Sequence, residues 1–307
     1  MPDRDPQSSP RRGSRVVVTL VLVVGAALLL TGCILPIVPA PGGAGPLRYR
    51  DLVFSAVSRT NDVTYGSAPD LAGNAVTLEL DVYQPAGDTV TQRPALVWVH
   101  GGGFCCGDKG DEATQATTFA RKGYLVVSIN YRLLATSGCS GASGVSPACY
   151  TAATEAVHDG QAAVRWLRAN AAIYHVDPDR IGIGGESAGA IVATGAGLHS
   201  EDPGTSGNPG YSSTVQGWVS ISGGLPNGLY AGAGDAPGML FSGTADTIVP
   251  YQWSVDTSAA LDAAHVPVVL ETLNGAGHVP PQFFAVYQTQ SINFFYRYLA
   301  LAGGVDS

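Results

Sequence analysis

Hydrophobic and polar positions along the chain follow two alternating rhythms. Leu78–Tyr83 (LELDVY) alternates apolar and polar side chains, the period-2 pattern of a half-exposed strand. Ala95–Val99 (ALVWV) and Tyr124–Asn130 (YLVVSIN) are nearly continuous apolar runs, as strands buried on both faces read. Shorter runs at Arg180–Gly184, Val215–Ile221, Gly238–Phe241 and Pro267–Leu270 predict further strands. Helical spacing predicts Glu112–Lys122 with Gly123 as its cap, then Glu155–Asn170, where Ala156, Ala163, Val164 and Leu167 share a face. Ala188–Leu198, Val255–His265 and Gln282–Leu301 read the same way. Strands alternating with helices predict an α/β domain, a mostly parallel sheet covered on both faces.

The N-terminal region has a different rhythm. Arg11, Arg12 and Arg15 precede an uncharged apolar run from Val16 to Leu30. That run is short for a spanning helix, which needs about 20 residues, and it suits the apolar centre of a signal peptide. Leu30-Thr31-Gly32-Cys33, directly after it, resembles the bacterial lipobox, where the bond before Cys is cut and the Cys is lipidated. Arg11-Arg12 opens a twin-arginine pattern from which Gly13-Ser14-Arg15 departs. The expected organisation is therefore a signal peptide over 1–32, a lipidated Cys33 with a Pro/Gly-rich tether over 33–47, and a single domain over 48–307. An exported protein held on the outer face of a bacterial membrane by lipid follows. Without the lipid, the expectation is a periplasmic or secreted protein.

Composition narrows the function classes. With 45% hydrophobic residues the chain can bury a large core. Its net charge of −8 is the wrong sign for a nucleic-acid partner. Besides Cys33, four cysteines remain, and an even count in an exported chain favours disulfides. Cys139 and Cys149 bracket a Gly/Ser-rich loop, and a local bridge there is the first choice. Cys105 and Cys106 are adjacent, where a mutual bridge is strained, and pairing of these two with Cys139 and Cys149 remains open. No His lies at ligand spacing from the cysteines, so no metal site is expected.

Chemistry concentrates in four segments. Gly185-Glu186-Ser187-Ala188-Gly189 fits the G-x-S-x-G nucleophile elbow, and it lies between a predicted strand and a predicted helix, as that motif requires. The sharp turn holds Ser187 in a strained conformation with its hydroxyl exposed, while Gly185 and Gly189 let neighbouring chain approach. His100-Gly101-Gly102-Gly103-Phe104 follows the strand ALVWV and fits the HGGG pattern of an oxyanion loop, with His100 orienting the loop. His278, in Asn274-Gly275-Ala276-Gly277-His278, comes last in chain order, after a strand and before a helix, as the base should. His265 and His199 end helices, and His158 and His175 precede the serine. Asp246, just past the strand GMLF, is the candidate acid; Asp235, Asp256 and Asp262 read as surface charges.

These motifs together make the chain resemble the α/β-hydrolase superfamily, and within it serine carboxylesterases and lipases with an HGGG oxyanion hole. HGGGF-x-x-GDK at 100–109, NYRL at 130–133, HDGQAAVRWLRAN at 158–170, DPDRIGIGGESAGA at 177–190, GTADTIVP and GAGH carry the resemblance. Exported acetylxylan- and feruloyl-type esterases and the hormone-sensitive-lipase group are the most similar. The resemblance implies an α/β-hydrolase fold, with Gly102, Gly103 and Ala188 as oxyanion donors. The chain departs from it in three places. The elbow reads GESAG where the hormone-sensitive-lipase group usually has Asp before Ser. The segment before HGGG has no room for that group's large cap. An insertion around Cys139–Cys149 replaces the short loop after NYRL.

The expected activity is cofactor-free ester hydrolysis by Ser187, His278 and Asp246 through an acyl-enzyme. A small-molecule or polymeric ester is the expected substrate: short acyl esters, acetylated or feruloylated polysaccharides, polyesters and lipids all fit an uncapped site. Two other functions use the same scaffold: a serine peptidase, which usually carries a propeller or large cap, and a non-catalytic binding module, which often loses a triad member.

Overall fold

The computed structural model describes residues 46–135, 138–140, 145–226, 231–299 and 301. The signal segment, Cys33 and most of the tether lie outside these residues. An eight-stranded sheet runs through the domain: β1 (Val57–Pro69), β2 (Ala75–Pro85), β3 (Arg93–Val99), β4 (Leu125–Ile129), β5 (Val176–Glu186), β6 (Gly217–Ile221), β7 (Gly238–Gly243) and β8 (Val268–Leu273). Their order is β1-β2-β4-β3-β5-β6-β7-β8. β2 pairs antiparallel with β1 and β4; every pairing from β4 onward is parallel. The helices are α1 (Ala113–Ala120), α2 (Pro147–Ala169), α3 (Ala171–Tyr174), α4 (Ala188–Leu198), α5 (Tyr251–Ala263) and α6 (Phe284–Tyr298).

The alternation within β3 explains why the sheet is covered twice. Ala95, Val97 and Val99 join Val127, Ile183 and the α2 and α4 residues Ala163 and Val192 in one core. Leu96 and Trp98 point the other way, into a core with Phe119 of α1 and Phe294 and Phe295 of α6. β5 crosses between these layers at closest range. A side chain at Gly184 would come within 2.6 Å of the Trp98 ring, and one at Gly182 within 2.6 Å of Phe295. The two glycines therefore allow the large rings to lie against the sheet. α4, AGAIVATGAGL, is apolar on nearly all sides and is correspondingly buried throughout except at Ile191.

Several boundaries differ from the sequence expectation. β1 carries no clear alternation and had no predicted strand; it is a largely exposed edge, with register shifts near Asp62 and Gly66. α2 begins eight residues earlier than its apolar pattern, because Ser146 caps it by accepting from the Cys149 N–H at 3.2 Å and Pro147 sits at its first position. α1 is preceded by one tight turn, Lys109–Glu112, capped by Asp108. The middle of α2 is pinned by a buried pair: Arg132 donates from its backbone N–H and its guanidinium to both carboxylate oxygens of Asp159, at 2.8–3.1 Å. Thus the NYRL and HDGQ segments meet in space.

Candidate active site

The C-terminal ends of β5, β7 and β8 bring three side chains together. Ser187 follows β5 directly and starts α4 with φ 54° and ψ −118°, a conformation costly for a non-glycine residue. Its N–H donates to the Ile221 carbonyl at 2.9 Å, which fixes the turn to β6. Gly189 is required beneath it, since any side chain there would overlap the Val99 and His100 carbonyls. The Ser187 Oγ lies 2.8 Å from His278 Nε2, and His278 Nδ1 lies 2.7 Å from Asp246 Oδ2. The Asp246 side chain is fully buried and its other oxygen accepts from the Ile248 and Val249 N–H groups at 2.8 and 3.0 Å. The carboxylate is therefore held by three donors, and His278 is oriented with Nε2 free to accept the serine proton.

The HGGG loop is built just as locally. Gly102 (φ 109°), Gly103 (φ 59°) and Phe104 (φ 62°) turn the chain sharply after β3, and a side chain at Gly102 would overlap the Cys106 carbonyl. Among the described residues, no hydrogen bond occupies the N–H groups of Gly102, Gly103 or Ala188. His100 is completely buried and stacks on Tyr131 at 4.4 Å. Its Nδ1–H donates to the Gly101 carbonyl at 2.6 Å. Burial pushes the imidazole below its ordinary pKa, so it stays neutral. Tyr131 donates its hydroxyl to the His100 and Gly101 carbonyls at 3.1 and 3.2 Å. His100 thus orients the loop, and Tyr131 shares that task.

Three further contacts were not predicted from sequence. Ser222 Oγ accepts from the Val279 N–H at 2.9 Å and so holds the residue after His278. The Cys139 N–H donates to the Gly103 carbonyl at 2.8 Å, and Ser140 donates to the Ile248 carbonyl at 3.3 Å. Cys139 is bonded to Cys149 at the start of α2, which settles the pairing; Cys105 and Cys106 are free thiols. Two further carboxyls, Glu112 and Glu186, the residue before Ser187, influence each other. Burial, and then the charge of Glu186, push Glu112 up to about 9. Burial also raises Glu186, with an opposing pull from His278. Of the rejected candidates, His199 pairs with Glu201 at 3.1 Å and His158 with Asp202 at 3.3 Å. Asp235 is half-buried, with its carboxyl raised by burial, so it is not the freely solvated charge expected. Among the described residues, no cluster of three His, Cys, Asp or Glu side chains is arranged to bind a metal.

A cavity of about 390 Å³ opens beside the serine, lined by Gly103, Phe104, Ala188, Ile191, Trp253 and the Cys139–Cys149 bridge, among others. The insertion after NYRL therefore forms part of the pocket wall.

The sheet order, the elbow after β5 and the acid and histidine after β7 and β8 are those of the α/β-hydrolase fold. The BD-FAE family matches residues 80–217. The chain is 32% identical to acetylcholinesterase of Gallus gallus over 214 residues, which is 67% of this chain and 25% of that protein. It is 40% identical to phenmedipham hydrolase of Pseudarthrobacter oxydans over 109 residues, 35% of this chain and 20% of that one. The chain thus spans a quarter or less of the length of these relatives. Thermogutta terrifontis esterase 2, in a structure phosphoramylated by tabun, superposes with a TM-score of 0.64 at 21% identity, covering 81% of this chain and 96% of that one.

Proposed function

We propose that this protein is a serine esterase that hydrolyses carboxylic esters through an acyl-enzyme on Ser187. The observation that carries this reading is the continuous relay Ser187 Oγ–His278 Nε2–His278 Nδ1–Asp246 Oδ2, at 2.8 and 2.7 Å. Ser187 Oγ attacks the ester carbonyl while His278 Nε2 takes its proton. The tetrahedral oxyanion is met by the N–H groups of Gly102, Gly103 and Ala188. As the intermediate collapses, His278 returns the proton to the departing alkoxide. Water then repeats the sequence on the acyl-enzyme and frees the acid and Ser187. Asp246 keeps the imidazole in the productive tautomer and stabilises its cationic form.

The Cys139–Cys149 disulfide and the LTGC sequence support an exported protein, lipid-anchored through Cys33. The experiment for the catalytic reading is turnover of p-nitrophenyl acetate by wild type and Ser187→Ala, with circular dichroism to establish folding. Loss of several orders of magnitude is expected; near wild-type turnover by a folded Ser187→Ala protein would remove the reading.

A further inference from the structure

The cavity is not a simple hollow over the serine; it is a trough along the seam between α2 and α4. Two contacts set the register of that seam. A side chain at Gly195 would meet Val157 Cγ2 at 2.5 Å, and Gln161 donates to the His199 carbonyl at 2.6 Å. The two helices therefore run side by side in the same direction, with Ala153 opposite Ile191. Ser187, Ile191, Gly195 and His199 recur every four residues on α4, so they form one row on the helix face, and all four border the cavity. The row starts at the nucleophile, passes between Ile191 and Ala153, crosses Gly195, against which Val157 packs, and ends at His199. There the walls turn polar, with His158 paired to Asp202 and His199 to Glu201.

The cavity also has a defined side. Its described walls include Gly103 and Ala188, which flank the oxyanion, and Ile248 and Val249 beside the acid. An ester whose carbonyl oxygen meets the Gly103 and Ala188 N–H groups can lay its acyl chain along the trough while its leaving oxygen faces His278 Nε2. From Ser187 to Gly195 the trough is roughly 12 Å long at 1.5 Å per residue, about the span of a ten-carbon chain.

From these observations we infer that the α2–α4 trough is an acyl-chain site, and that it sets a preference for straight-chain esters of about eight to ten carbons over acetate. This rests on the ester-hydrolase reading of Ser187. Beyond Gly195 a longer chain emerges among charged and histidine side chains, so additional methylenes gain nothing.

The test is kcat/KM of the full-length protein on p-nitrophenyl esters from acetate to palmitate, each below its solubility limit. The expected result is a rise of about two- to fourfold per added methylene, the scale of burying one such group, levelling near decanoate. Ile191→Trp and Ala153→Phe narrow the trough one helical turn from Ser187 and should lower the decanoate-to-acetate ratio at least about tenfold. A wild-type profile that is flat or falls from acetate upward overturns the inference. So does an unchanged ratio in both folded variants. Should neither variant fold, competitive inhibition of wild type by free decanoate decides instead: it should be at least about tenfold tighter than by butyrate, and equal inhibition overturns the site. Absence of turnover on every ester would remove the hydrolase reading itself; acetate turnover without a chain-length gain would remove only the trough.

Discussion

The backbone N–H of Cys139 donates to the carbonyl of Gly103 at 2.8 Å, so one end of the disulfide is bonded directly to the HGGG loop. The next residue, Ser140, reaches the Ile248 carbonyl beside the acid. One short segment, tied to α2 through Cys149, therefore braces two of the loops that carry the chemistry. Replacing both Cys139 and Cys149 with Ser should lower stability by about 2–3 kcal/mol, the loop-entropy scale for this separation, or roughly 4–12 °C in Tm. It should also lower ester turnover at temperatures where the domain is still folded. Calorimetry and initial rates on the same samples test this; a loss of Tm with unchanged kcat would mean that the bridge stabilises the domain without bracing the site.

The relay predicts unequal costs for its members. His278→Ala should remove several orders of magnitude in kcat, since the serine then has no base. Asp246→Asn should cost less than His278→Ala, because Ser187 and His278 remain and only tautomer and charge support are lost. Initial rates on p-nitrophenyl acetate rank them. A silent Asp246→Asn, with damage instead from Asp235→Asn, would assign the acid elsewhere.

How far this site was legible in the sequence depends on the range of the contacts. Ser187, Asp246 and His278 were readable because each follows a strand, and strand ends set their placement whatever the rest of the chain does. The sharp glycine turn at Gly102 and Gly103 was readable for the same reason, lying just after ALVWV. The Cys139–Gly103 and Ser140–Ile248 bonds join segments far apart in sequence and have no local signature. β1 escaped because an exposed edge strand needs no apolar alternation. The early start of α2 did have a signal, Ser146-Pro147, a cap followed by a proline at the first helical position. The apolar pattern began later and masked it.

Glu112 makes stability depend on pH. Its carboxyl is raised by burial and by Glu186 to about 9, so between its ordinary value of 4.5 and about 9 the folded state keeps a proton that the unfolded chain has released. Its contribution is thus largest below the ordinary value and declines as pH rises through this window. Glu112→Gln, which cannot ionise, should change Tm little at pH 5 and raise it relative to wild type at pH 8. Thermal melts of both proteins at the two pH values check the sign; a larger gain at pH 5 than at pH 8 contradicts it.

Cys33 should be the first residue of the processed protein and carry lipid. In a bacterial host that processes lipoproteins, Cys33→Ser should leave the chain unprocessed or free of the membrane fraction. N-terminal mass analysis of the native protein decides the point, and a mature chain starting elsewhere without lipid rules the anchor out.

The central claim is that Ser187 is the nucleophile, and a covalent probe reads it most directly. Full-length protein treated with diethyl p-nitrophenyl phosphate should release one equivalent of p-nitrophenol and lose esterase activity in parallel. Peptide mapping should then place a single diethylphosphoryl group on Ser187, and a folded Ser187→Ala protein should take up none. A fully active protein without an adduct, or one whose adduct maps to another residue while Ser187 stays unmodified, would contradict the account.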